Sequence, residues 1–201
     1  MSEGQRKKVG LFFGTFNPMH RAHLFLANHM VENLDLKEVW FVITPKSPFK
    51  QKDSLASNQD RYQMVYDAIA SYPKFKAVDI EFSLPTPSYT ADTLAHLEEK
   101  FEYAIDFSLI MGEDNLVYFH KWKNYQVLLE RYRILVYPRV KAPNETADEQ
   151  VARHPNVVRI TAPIIELSAS YVREQLRLGH EVRPLLPDEV WDYIDAKGLY
   201  L

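Results

Sequence analysis

The sequence predicts an α/β protein: a doubly wound, mostly parallel sheet of about six strands with helices on both faces. Two observations carry this. Six apolar runs of strand length recur along the chain, and stretches of helical period lie between them. Apolar strands alternating with amphipathic helices imply a sheet buried on each side, since a half-solvated sheet would show polar residues at every second position. A third observation says where function lies. The least ordinary stretches, GTFNPMHRAH, TPKSPFKQK, LPTPSYT and GEDN, follow the first four strands, and open α/β sheets bind ligands beyond the carboxyl ends of their strands.

Val9 to Phe13 (VGLFF) is the first strand. In the stretch that follows, Gly14 lets the backbone approach a ligand, and Asn17-Pro18 predicts a helix start with Pro at its first position, continuing through HLFLANHMVENL (23–34). Free amides at such a start attract anions. His20 and His23, one turn apart on one face, can both donate hydrogen bonds to phosphate oxygens. Zinc fits less well, because the spacing is not HExxH and the chain has no cysteine. VWFVI (39–43) is the second strand, followed by a Lys-, Ser- and Pro-rich loop and then the helical pattern RYQMVYDAIASY (61–72). AVDIEF (77–82) reads as the third strand and TADTLAHLEEKF (90–101) as the next helix. FSLIM (107–111), the helix NYQVLLERY (124–132), RILVY (133–137) and VVRI (157–160) complete the alternation. The polar stretch 138–156 predicts a short helix or a surface excursion. At IELSASYVR, Ser168 or Ser170 can cap the helix that follows, with Arg173 one turn inside.

Composition excludes several classes. The 46% apolar and 25% charged content of the 201 residues is that of a folded globular protein, long enough for a sizeable core. A formal charge of -3 argues against broad binding of nucleic acid or an anionic membrane, so any cationic site must be a local pocket. The chain lacks cysteine, which removes disulfides and thiolate nucleophiles. The N-terminal apolar run is far too short for a signal-peptide core or a membrane span, and the expected location is the cytoplasm.

The string G-T-F-N-P-x-H-x-x-H after a first strand resembles the signature of the nucleotidyltransferase superfamily, and S-x-S-x-x-R at Ser168, Ser170 and Arg173 resembles its second phosphate motif. Class I aminoacyl-tRNA synthetases carry a related HIGH-type motif, but no KMSKS-like segment is present here. SYTADTL (88–94), LIMGEDNL (109–116) followed by Trp122, and the tail LGHEVRPLLPDEVWDYIDAKGLY (178–200) are similar to the nicotinate-nucleotide adenylyltransferases, bacterial enzymes that make deamido-NAD. The resemblance runs along nearly the whole chain and implies one Rossmann-like domain over residues 1–201, with the helical segment 168–201 completing the ATP phosphate site. It implies adenylyl transfer from ATP, with Mg²⁺, to nicotinate mononucleotide. His20, His23, Arg173 and Lys46 would be catalytic. Gly14, Thr15, Phe16, Gly112, Asp114, Ser168 and Ser170 would bind ATP, with the Asp114 carboxylate on the ribose hydroxyls. Asn17, Lys50, Tyr89, Thr90 and Trp122 would bind nicotinate mononucleotide, Trp122 by stacking on the pyridine ring. No resident metal ligands are expected.

The loop after the second strand departs from the family pattern P-x-x-x-P-P-H-K/R. Here it reads Pro45-Lys46-Ser47-Pro48-Phe49-Lys50-Gln51-Lys52, one residue shorter and without the histidine, leaving Lys46, Lys50 and Lys52 as alternative cations. The sequence leaves two functional alternatives open: adenylyl transfer to another acceptor, such as nicotinamide mononucleotide or phosphopantetheine, and a non-catalytic nucleotide sensor. A homo-oligomer is compatible with the sequence, which does not fix the number of subunits.

Overall fold

Six strands form one sheet: β1 (Lys7–Gly14), β2 (Glu38–Ile43), β3 (Phe75–Val78), β4 (Ile105–Gly112), β5 (Arg133–Tyr137) and β6 (Val157–Arg159). The computed structural model describes residues 6–45, 55–140 and 146–200. The strand order is β3-β2-β1-β4-β5-β6 and every pairing is parallel. The winding reverses between β1 and β4, which opens a crevice beyond their carboxyl ends. The helices are α1 (Arg21–Asn33), α2 (Asn58–Ile69), α3 (Thr90–Lys100), α4 (Glu113–Val117), α5 (Tyr125–Arg131), α6 (Glu149–Ala152), α7 (Ala169–Arg177) and α8 (Asp188–Lys197). Among the described residues no helix is long and apolar enough to cross a membrane.

Period-two alternation along the strands explains the two layers of helix. Phe12, Phe41, Ile43, Ile110 and Leu135 point into a core shared with α1, α2, α7 and α8. Their neighbours Leu11, Trp40, Val42, Leu109 and Val136 point the other way, into a core shared with α3, α4 and α5. Each fully buried Leu or Phe side chain contributes about 1.5–3 kcal/mol, so both faces of the sheet need a helical cover. α1 supplies its share through Ala22, Leu26, Ala27, Met30 and Val31, a single buried stripe at helical spacing. α8 docks on α2 by polar contacts as well: the Tyr193 hydroxyl and the Lys197 ammonium both donate to Asp60 Oδ1, at 2.9 and 2.6 Å.

Two local expectations are corrected. The third strand is Phe75–Val78, not 77–82, and Ile80–Ser83 is a 3-10 turn. The turn is needed because Glu81 is buried. Its carboxylate accepts the hydroxyls of Thr93 at 2.7 Å and Ser88 at 3.0 Å, donors that an extended strand would not bring to it. The second correction concerns Pro18, which is not the first residue of α1. The helix begins at Arg21 with His20 at its N-cap position, and the Asn17–Pro18 peptide is cis. Residues 16–19 instead form a buried turn. Phe16 has φ 44° and packs its ring edge-on against Phe12 and Phe41, while Met19 is wholly buried. Burying both side chains is incompatible with starting a helix at Pro18. The polar stretch after β5 does contain a short helix, α6, capped by Asp148.

Candidate active site

The exit of β1 lies at the centre of the crevice. Gly14 is followed closely by the ring of Phe16, and a Cβ at Gly14 would sit 2.9 Å from that ring, so the glycine serves the tight turn that buries Phe16. The turn delivers His20 to the mouth of α1 and His23 one turn in. Their rings stack at 3.7 Å with 16° between planes. The His20 main-chain N–H donates to His23 Nδ1 at 3.2 Å, which leaves Nε2 of neutral His23 as the proton-bearing nitrogen. Burial, assisted by the charge of Arg139, holds the His20 imidazole down at about 3. Burial, then the charges of His20 and Arg139, hold His23 well below the usual histidine range. Both rings are therefore neutral hydrogen-bond donors near neutral pH, ready to gain from an anion.

The second sequence motif arrives from the far end of the chain. Ser168 caps α7 by accepting the Tyr171 N–H at 3.2 Å. Arg173, 6% exposed, donates through Nη1 to the main-chain oxygen of Asn17 at 2.6 Å and through Nη2 to Ser170 Oγ at 3.3 Å. Among the described residues its Nε has no hydrogen-bond partner, and neither has Nδ1 of His20. Buried polar atoms are rarely left unpaired, so two of them at one cavity mark a place suited to a polar ligand.

That cavity, of about 230 Å³, holds Gly14, Thr15, Phe16, Asn17, His20, His23, Asp114, Ser168, Ser170 and Arg173. A larger cavity of about 590 Å³ adjoins it and holds Tyr89, Thr90 and Trp122. The two share the β1 exit from Phe12 to Thr15 together with Asp114, Asn115 and Tyr137. Tyr89 is the N-cap residue of α3; its main-chain oxygen accepts the Asp92 and Thr93 N–H groups at 2.9 and 3.0 Å, and its side chain makes no bond to the helix's first amides. Gly112 lines neither cavity. It caps α4, where a Cβ would lie 2.3 Å from Asp114 Oδ1, so its part is to let that carboxylate fold back over the helix start. Lys46, Lys50 and Lys52 lie outside the described residues.

Several residues of the site escaped the sequence reading. Arg139 lines the smaller cavity, lies over the Tyr137 ring at 5.7 Å from its centroid, and places Nε 3.7 Å from Asp114 Oδ1. It follows β5 directly, so the rule that ligands bind at strand ends could have found it. Arg61 is fully buried and donates to the main-chain oxygens of Thr15, Thr44, Pro45 and Ala56 and to Asn58 Oδ1, at 2.6–3.2 Å. It ties the β1 exit to the β2 exit. In sequence it is merely one charged residue of an amphipathic helix. Glu81 lines the larger cavity, and burial raises its carboxyl above the usual range against the hydroxyls of Thr93, Ser88 and Thr44. Lys123 lies 4.8 Å from the Tyr89 ring centroid and pairs with Asp92 at 2.9 Å. Among the described residues no group of three or more His, Cys, Asp or Glu is placed to hold a metal ion.

A parallel sheet whose switch point carries paired neutral imidazoles, two guanidiniums and a capped helix start, beside a second cavity with an aromatic wall, has the features of a nucleotide-binding transferase. The chain belongs to the cytidylyltransferase-like family, which it matches over residues 11–175. Within that family its similarity is to nicotinate-nucleotide adenylyltransferases. It is 52% identical over 194 residues to the probable nicotinate-nucleotide adenylyltransferase of Christiangramia forsetii, covering 96% of this chain and 98% of that one. It is 50% identical over 193 residues to the protein of the same name in Flavobacterium psychrophilum, with the same coverage. The Plasmodium falciparum nicotinic acid mononucleotide adenylyltransferase complexed with NaAD superposes with a TM-score of 0.78 over 96% of this chain and 97% of that one. At 22% identity, that likeness is one of fold.

Proposed function

We infer that the protein transfers the adenylyl group of ATP to nicotinate mononucleotide, giving nicotinate adenine dinucleotide and pyrophosphate. One observation carries the reading: two motifs some 150 positions apart, His20 with His23 and Ser170 with Arg173, line one small cavity that shares a wall with a larger, aromatic one. The 52% identity to a probable nicotinate-nucleotide adenylyltransferase supports the same choice of substrates.

The chemistry asks for alignment and charge stabilisation rather than proton transfer. The acceptor's phosphate is largely dianionic at neutral pH. One of its oxygens forms a bond to the α-phosphorus of ATP, the bond from that phosphorus to the α–β bridging oxygen breaks, and pyrophosphate leaves with the electron pair. Two anions must be held together while charge moves onto the leaving group. In this reading the Nε2–H of His23, the imidazole of His20, Arg139 and the unpartnered Nε of Arg173 stabilise that charge. Ser168 and Ser170 hold the outer phosphates at the start of α7, and Asp114 takes the ribose hydroxyls. The amides at the start of α3 receive the nicotinate carboxylate, and Trp122 stacks on the ring. Mg²⁺ brought in with ATP would neutralise part of the phosphate charge. Lys46, Lys50 or Lys52 supplies a further cation from the loop after β2.

The same reading treats the chain as one functional unit, in which the segment from Ser168 onward completes the phosphate site. It places the protein in the cytoplasm, with ATP and nicotinate mononucleotide as its small-molecule partners. The test is a turnover assay with purified protein, ATP and Mg²⁺, comparing nicotinate with nicotinamide mononucleotide. Faster product formation with the acid is expected; equal or reversed rates contradict the acceptor assignment.

A further inference from the structure

We propose that Tyr200 is a positioning residue for adenylyl transfer, holding the phosphate-binding turn in place through Asn17; the proposal rests on the functional reading above. α8 ends at Gly198, whose φ of 59° reverses the chain and sends it back toward the β1 exit. There the Tyr200 hydroxyl donates to Asn17 Oδ1 at 2.7 Å, across 183 positions of sequence. The same oxygen accepts the Ala56 N–H at 3.1 Å, while the main-chain oxygen of Asn17 accepts Arg173 Nη1 at 2.6 Å. Asn17 is thus gripped by three segments distant in sequence: the tail, the approach to α2, and α7.

The consequence is geometric. Asn17 precedes His20 by three residues and is itself only 2% exposed. Its orientation fixes both the turn that presents the imidazoles and the acceptor that locks one arm of the Arg173 guanidinium. With Nη1 so held, Nε is aimed by the plane of the group rather than by a rotamer search. Tyr200 itself stands at φ 69°, a backbone conformation uncommon for a tyrosine, and its phenol anchors the residue there. Burial, opposed only in part by Arg173 and Arg61, keeps that phenol protonated and a donor at all working pH values.

The test is Tyr200→Phe, which deletes one hydroxyl and keeps the ring. One hydrogen bond in a preorganised site corresponds to a change of about fivefold. We expect kcat to fall by about that factor and the Kd for ATP with Mg²⁺, measured by calorimetry without acceptor, to rise about threefold. The thermal midpoint should fall by no more than about 2–4 °C, the worth of one hydrogen bond in a chain of this size. In an Asn17→Ala background the same change should have no further effect, since the path through Asn17 is already cut. Wild-type kcat and ATP affinity in Tyr200→Phe overturn the proposal. So does a lowered melting temperature with unchanged activity per folded molecule, and so does an effect that persists in the Asn17→Ala background. If wild-type protein turns over no nicotinate mononucleotide, the functional reading fails, and the ATP affinities alone still decide whether Tyr200 shapes the phosphate site.

Discussion

Acidification should destabilise the ligand-free protein through His20 in particular. In the folded chain its imidazole titrates at about 3, against 6.5 when unfolded. Between those values the unfolded state binds a proton that the folded state does not, so stability is full above about pH 6.5 and falls as pH drops toward 3. At about pH 5 the loss from this one residue is ~2 kcal/mol, since 1.5 units lie between that pH and the unfolded value at 1.36 kcal/mol per unit. For a chain of this size that corresponds to a fall of about 4–8 °C in thermal midpoint. His23, depressed in the same direction by the same burial, adds to it. The assay is denaturant unfolding at about pH 7.5 and pH 5, wild type beside His20→Asn, which has no proton to gain. The variant should lose less stability between the two conditions, by ~2 kcal/mol. Equal losses in the two proteins would show that His20 is not held neutral, and the argument from burial would fail. ATP offers a complementary check. Phosphates beside the rings raise their affinity for protons, so binding near pH 6 should take up protons, seen as a dependence of binding heat on buffer ionisation enthalpy.

Other substitutions test the remaining parts of the site. Arg173→Lys keeps the charge but loses the fork that serves Asn17, Ser170 and the open Nε; kcat/KM for ATP should fall about 100-fold, and a near-normal value contradicts its phosphate role. Arg61→Met strands several buried acceptors, and denaturant unfolding should report a loss of at least ~3 kcal/mol; an unchanged midpoint would mean that those contacts hold little. Trp122→Ala should raise the KM for nicotinate mononucleotide about tenfold through lost stacking while leaving the KM for ATP nearly unchanged. A matching rise for both substrates argues that Trp122 only supports the cavity wall.

The architecture was legible because two-sided burial leaves a continuous apolar run at each strand, and all six runs became strands. The third was displaced. Glu81 falls within AVDIEF at a position that periodicity assigns to a strand, but a buried carboxylate needs hydroxyl partners, and those sit at Ser88 and Thr93. The start of α1 was misread for a related reason. Pro18 has the right residue type for a first helical position, yet tertiary burial of Phe16 and Met19 outweighs that local preference. His20, His23 and Arg173 were visible because they sit in strings of fixed spacing. Arg61 and Tyr200 were not, since each works through contacts far away in sequence, 46 positions from Arg61 to Thr15 and 183 from Tyr200 to Asn17, whereas Arg139 stands two residues past β5 and was open to the strand-end rule.

The wall common to the two cavities has a pharmacological corollary. Because one strand exit floors both compartments, a compound with two heads, one anionic and one flat and aromatic, can straddle Gly14 and Thr15 with a very short tether. Its binding energies combine without a long linker's entropy, so its affinity should exceed that of either fragment by a wide margin. Resistance would be hard to acquire at that floor, where a side chain at Gly14 would meet the ring of Phe16 and disturb the turn that both compartments share.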